Sequence, residues 1–218
     1  MRTLVEKVIS TYGDQEDEFF SPDDVIEFLN GGYSRTVSVL AQMERDTDVT
    51  LRSLDDLRLR NVIDVVEPVV EENGNQVTEI DLPDTILDIV HSAFIDVSRS
   101  ETITLRELKS KQLILIDLGT AIPNWMEYFY HIASNSQQKT MQIFGKEIST
   151  NEDQVRLYYI VKPTPITDTD TDLPDLPKHL ERAVIYASCK KMALKDQNGD
   201  LAGAYENSFL SEIRDNGL

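Results

Sequence analysis

The hydrophobic period of this chain changes twice, and that limits its fold more than any other feature. Early on, apolar residues recur every three or four positions. Leu4, Val5, Val8 and Ile9 form one set, and Val25, Ile26, Leu29, Tyr33, Val37 and Leu40 form the next. Such spacing lines one face of a helix. From Asn61 the period shortens and β-branched residues take over, as in NVIDVVEPVV. Asn73-Gly74 separates two such runs and is a strong hairpin signal, because both residues tolerate positive φ. The spacing therefore predicts a hairpin of 61–70 with 76–82. Further strands are predicted over 87–97, 126–132, 141–144 and 154–161. After residue 166 the helical period returns. Leu180, Ala183, Val184, Ala187, Lys191 and Leu194 share one face, Asn198-Gly199 marks a stop, and Leu201, Ala204, Tyr205, Phe209 and Ile213 continue on a second helix. The order α, β, α without strict βαβ alternation predicts an α+β fold.

Several local signals sharpen this outline. Ser21, Pro22 and Asp24 suit the N-cap, first-turn and capping-box positions of a helix. Gly31-Gly32 interrupts that helix, and each glycine costs roughly 1 kcal/mol against alanine. The pair admits two readings, a kink or the close approach of a neighbouring helix or subunit. A short helix is expected within 48–59. Another is expected over Thr104–Leu113, capped by Thr104 with Glu107 three places on.

Charge narrows the function classes. The formal net charge is −18, and no third of the chain is basic: residues 1–60 hold 13 acids and 7 bases, 61–150 hold 14 and 6, and 151–218 hold 12 and 8. Nucleic-acid binding by phosphate neutralisation is disfavoured, as is attachment to an anionic membrane. No apolar run approaches the roughly 18–20 residues that cross a bilayer. The first twenty residues turn acidic too early for a secretory signal. The single cysteine, Cys189, excludes an internal disulfide framework and fits a reducing compartment.

A search for chemistry returns little. Asp168, Asp170 and Asp172 occupy positions 1, 3 and 5 of a potential Ca²⁺ loop. Position 6 is Leu173 rather than glycine and position 12 is His179 rather than an acid, so the pattern fails. A polar link stiffened by Pro174 and Pro177 remains. Cys189 reads as a small buried residue or a reactive thiol. His91, His131 and His179 share no ligand or triad spacing. Trp125, Tyr128, Phe129 and Tyr130 read as core or as a partner patch. No catalytic residue, metal site or cofactor site is assigned, and the expectation is a non-enzymatic structural or interaction protein.

The segment order carries a resemblance. FSPDDVIEFLNGGYSRTVSVL is followed by IDLPDTILDIVHSAFID, then IPNWMEYFY, then VRLYYIVKPTPI, and finally LPDLPKHLERAVIYASCKKMALK with AYENSFLSEI. This resembles the head-to-tail connector (adaptor) proteins of tailed bacteriophages, with Leu176-Pro177 ahead of the long C-terminal helix and Tyr205 and Phe209 in the last one. The resemblance implies a helical bundle built from residues 1–60 and 166–218, with a β-rich insertion over 61–165. It implies a virion protein that forms a ring, typically of twelve subunits, beneath the portal protein. That ring extends the DNA channel and offers a platform for tail or nozzle proteins, while DNA passes without specific binding. It also implies that the C-terminal segment, here Phe209, Leu210, Ile213 and Leu218, reaches the portal. Gly31 and Gly32 are the first expected subunit contact. The competing expectation is a non-viral acidic scaffold or partner-binding module without catalysis.

Overall fold

The computed structural model describes residues 2–13, 20–47, 49–64, 69–70, 76–96, 101–108, 128–134, 139–145 and 153–216. The chain forms two compact units, one joining Met1–Arg58 to Ile160–Leu218 and the other spanning Leu59–Tyr159.

The first unit is helical. Helix α1 (Leu4–Tyr12) opens on a reciprocal capping box between Thr3 and Glu6 and closes on Gly13, whose φ of 89° suits a residue without Cβ. Helix α2 (Pro22–Thr47) is capped as expected. The Asp24 N–H donates to Ser21 Oγ at 3.2 Å, and Ser21 N–H donates back to the Asp24 carboxylate at 3.2 Å. A 3-10 turn (Arg52–Leu57) stands within the short helix expected after it. Helices α3 (Glu181–Lys195) and α4 (Gly199–Asn216) follow near the C-terminus. Among the described residues no helix is long and apolar enough to cross a membrane.

Helix α3 is the centre of this unit and packs against α1, α2 and α4. It buries Ala183, Val184, Ile185, Ala187, Ser188, Cys189, Met192 and Ala193. These are mostly small side chains, which lets three neighbours approach from different sides. Two details of the expected pattern change as a result. Leu194 is 55% exposed rather than part of the buried face. The stop after α3 is Gln197, at φ 56°, whereas Asn198 Oδ1 accepts the Leu201 N–H at 3.1 Å and so caps α4.

Gly31-Gly32 neither breaks nor ends α2, which runs unbroken through both residues. The space their missing side chains leave is filled by α3. A Cβ on Gly32 would lie 2.8 Å from Ser188 N and 2.9 Å from the Val184 carbonyl oxygen, whereas a Cβ on Gly31 would meet the flexible end of Lys191. The two sites therefore respond differently to alanine. Overpacking against backbone costs about 1–3 kcal/mol, set against the roughly 1 kcal/mol gained in helix propensity, so Gly32→Ala is expected to lower stability by up to about 2 kcal/mol. Gly31→Ala is expected to be neutral or to gain up to about 1 kcal/mol, because Lys191 can swing aside. Urea denaturation of the two variants checks the contrast, and equal losses would contradict it.

The second unit holds two sheets. Four strands, β1 (Arg58–Asp64), β9 (Gln154–Val161), β4 (Ile86–Asp96) and β5 (Glu101–Thr104), lie side by side in that order. Val155, Leu157 and Tyr159 alternate with less buried neighbours along β9, the period-two signature of a half-buried strand. The other sheet has the order β2 (Val69–Val70), β3 (Gln76–Asp81), β8 (Lys139–Gly145), β7 (Tyr128–Ser134) and β6 (Arg106–Glu107). Strands β3 and β8 pair antiparallel from Gln76↔Gly145 to Asp81↔Thr140. On their polar face the directly opposed Gln142 and Glu79 share a hydrogen bond of 2.7 Å.

Two expectations are corrected here. The predicted hairpin arm 61–70 is divided between the sheets. Among its described residues, Val69 and Val70 pair with β3, and β1 lies beside β9. Pro68 has no N–H for a ladder, so one continuous strand through this stretch was disfavoured. The turn at Asn73-Gly74 lies outside the described residues. The helix expected over Thr104–Leu113 is extended in its described part. Leu105 N–H donates to the Ser92 carbonyl at 2.9 Å and Leu108 N–H to the Tyr130 carbonyl at 2.8 Å. The capping-like Thr104 and Glu107 were outweighed by ladder bonds to two different strands and by burial of Leu105 and Leu108.

Candidate assembly surface

Helix α4 carries most of the residues expected to meet a partner, and the structure divides them. Phe209 (0% exposed) and Ile213 (3%) point into the helical unit, whereas Leu210 is 43% exposed. Leu218 lies outside the described residues. The inner face of α4 is fastened by charge as well as by burial. Arg35 of α2 stands 4.7 Å over the Phe209 ring, a cation–π geometry. The same guanidinium pairs with Glu206 at 2.5 Å, and Lys190 of α3 reaches Glu206 at 3.0 Å. Arg35 first, then Lys190, holds the Glu206 carboxyl below the usual range. One carboxylate thus ties α4 to two helices.

Aromatic contacts complete the seam. Tyr205 stacks between Tyr12 (6.2 Å between centroids) and Tyr186 (6.3 Å). Its hydroxyl donates to the Thr11 carbonyl at 3.0 Å, and the Tyr12 hydroxyl donates to Asp196 at 3.1 Å. Burial pushes both phenols up to about 12, helped for Tyr12 by the Asp196 carboxylate, so both remain hydrogen-bond donors at neutral pH. Beside Asp196 at the C-terminal end of α3, Lys195 pairs with Asp24 at 2.6 Å and stands 5.2 Å over Phe28. The Lys195 ammonium, then Ser21, lowers the Asp24 carboxyl to about 2.

The acidic stretch before α3 is fixed along the helices by named bonds. Asn30 grips Ile166 twice, accepting its N–H at 2.7 Å and donating to its carbonyl at 3.0 Å. The Tyr33 hydroxyl accepts the Asp175 N–H at 2.8 Å, while the Asp175 carboxylate accepts the Thr164 N–H at 2.6 Å. The Asp170 carbonyl accepts the Leu4 N–H at 2.8 Å, one of the donors left open at the start of α1. Lys7 donates to the Thr171 carbonyl at 2.9 Å. The carboxylates engage local partners. Asp170 accepts from Thr167 N–H at 2.7 Å, and Asp172 pairs with Lys178 at 3.1 Å, which lowers its pKa. The segment is a strap across α1 and α2.

The other candidates do not converge. His91 lies beside Tyr158 in the four-stranded sheet, His131 lies on β7 in the five-stranded sheet, and His179 lies in a 3-10 turn of the helical unit. Among the described residues no three His, Cys, Asp or Glu side chains gather as metal ligands. Cys189 is buried, and burial pushes its thiol up to about 12, so it is protonated and unreactive at neutral pH. Tyr130 is buried, while Trp125 lies outside the described residues.

Sequence spacing missed the Glu44–Arg58 clip. Arg58 donates to both Glu44 oxygens, at 3.2 and 2.6 Å, and to Asp55 at 2.5 Å. Glu44 also accepts the Leu51 N–H at 2.9 Å. A signal was present: Glu44 falls four places after Leu40 and seven after Val37, on the apolar stripe of α2, where a carboxylate needs a partner.

No curated protein matches the chain. A family model described as the SU10 adaptor protein matches residues 2–216, nearly its whole length. The match spans both the helical unit and the two-sheet unit that interrupts it, and it agrees with the resemblance to phage head-to-tail adaptors. This chain belongs to the SU10 adaptor protein family, a family of phage structural adaptors.

Proposed function

We propose that this adaptor assembles as a ring, typically of twelve copies, beneath the portal protein, and joins it to tail or nozzle proteins. The observation that carries the reading is the family match over residues 2–216. Its acidity supports a channel role: at −18 per chain, a like-charged wall repels the DNA backbone, so the genome passes without being held. In this reading the portal is met through the C-terminal segment. Phe209 and Ile213 seat α4 on the bundle, and Leu210 meets the partner, with Leu218 as the further contact that the resemblance implies. A ring of this kind needs two different, complementary faces on each copy. We place neither at Gly31-Gly32, whose open side α3 already fills.

The test is co-sedimentation of the purified chain with portal rings, followed by imaging of the complex. A stoichiometric ring on the portal is expected. Leu210→Asp is expected to weaken that association about tenfold or more without lowering the melting temperature, since an exposed substitution changes stability by no more than about 0.5 kcal/mol. A chain that stays monomeric in the presence of portals and is absent from particles would overturn the reading and leave a scaffold role.

A further inference from the structure

We propose that the open cleft between α1 and α3 binds a carboxylate-rich segment of a partner protein. The cleft has a volume of about 440 Å³ and is lined by Arg2, Lys7, Glu181, Arg182, Ile185 and Tyr186, among others. Three of these are cations and one is an anion, in a chain where 39 acids outnumber 21 bases. The excess is local, and among the described residues it is only partly consumed internally. Glu181 is committed to Lys7 at 2.8 Å, and Lys7 is held again by the Thr171 carbonyl at 2.9 Å. That pair stiffens the floor and leaves the other two charges open. Among the described residues neither Arg2 nor Arg182 enters an ion pair. The hydrogen bond that Arg2 makes there, to Ser10 Oγ, is long at 3.4 Å.

Two exposed guanidiniums at one cleft present forked donors that match carboxylates in bidentate geometry. Half-buried Tyr186 and the edge of Ile185 add an apolar wall, which suits a side chain on either side of the acid. A nucleic acid fits less well. Phosphate binding gains by neutralising several charges along a backbone, and two arginines on a chain of −18 supply too few. Short-range recognition of one or two carboxylates within a peptide is what this arrangement favours.

The inference does not depend on the ring or on the portal, and the isolated full chain tests it. The probe is fluorescein-labelled hexaglutamate followed by anisotropy, with hexaglutamine and a single-stranded DNA dodecamer as comparisons. Saturable binding of hexaglutamate is expected, with no binding of hexaglutamine. Arg2→Gln combined with Arg182→Gln is expected to weaken hexaglutamate binding at least tenfold while the thermal melt is unchanged. Absence of hexaglutamate binding, equal binding by the double variant, or tighter binding of the DNA would each overturn the proposal.

Discussion

Phe209→Ala is expected to destabilise the helical unit by about 3–5 kcal/mol, the range for emptying a buried aromatic site. The side chain is fully enclosed, so truncation removes its burial and leaves a cavity. It also removes the ring beneath Arg35, and with it the support that holds Arg35 against Glu206, one turn away on α4. The neighbouring Leu210→Ala is expected to change stability by less than about 0.5 kcal/mol, because that side chain is already largely in water. Chemical denaturation followed by far-UV circular dichroism separates the two. A small loss at Phe209, or a comparable one at Leu210, would mean that α4 is seated differently. The contrast also guides any functional test of the C-terminus: a partner assay on Phe209→Ala reports on folding, and one on a Leu210 variant reports on docking.

The second large effect is at the clip between Glu44 and Arg58, both in the helical unit, and there the two partners are unequal. Glu44 is enclosed, its side chain 7% exposed, and Arg58 is 20% exposed. Removing one member of a buried pair costs about 3–5 kcal/mol when the other is left as an uncompensated charge. Arg58→Ala does that to Glu44, which keeps only the Leu51 N–H. Glu44→Ala is milder, because Arg58 retains Asp55 and the Leu51 carbonyl. Arg58→Ala is therefore expected near the top of that range and Glu44→Ala about 1–2 kcal/mol below it. In a double-mutant cycle the pair should show coupling of at least about 1 kcal/mol. Additive losses would show that the geometry carries no interaction energy. If Glu44→Ala proves the more damaging, the assignment of the more buried charge is wrong.

How much of this was legible in the sequence depends on how local the cause was. The capping box at Ser21 and Asp24 uses atoms three residues apart, and reading it required no partner. Strands β4, β8 and β9 were placed to within a residue or two because alternation over several positions records one face of a sheet. The stretch at Thr104 misled because its local signal imitates a helix cap, while its ladder bonds come from Ser92 and Tyr130, which spacing rules do not connect to it. The division of 61–70 between two sheets is likewise a choice of distant partners. Of the candidate surface, the helical face of α4 was readable, including Phe209 and Ile213. Which of its residues stay open was not, since the cover over Phe209 includes Arg35, from the opposite end of the chain. From sequence alone the strap reads as a polar link because its composition is that of one. Asn30, Tyr33 and Lys7 make it structural, and nothing in their own spacing marks them as its anchors.

The interruption of the helical unit by the two-sheet unit sets an order of events during synthesis. The two-sheet unit is one contiguous run, Leu59–Tyr159, and can close on itself once it has left the ribosome. Helices α1 and α2 cannot do the same. Their packing partner α3 begins at Glu181, so their apolar faces wait while more than about a hundred further residues are made, the kind of long-range closure that slows folding and exposes chains to aggregation. The acidity of the first sixty residues thus has a use before any particle exists, because it keeps an unpartnered pair of helices in solution until the last quarter of the chain arrives.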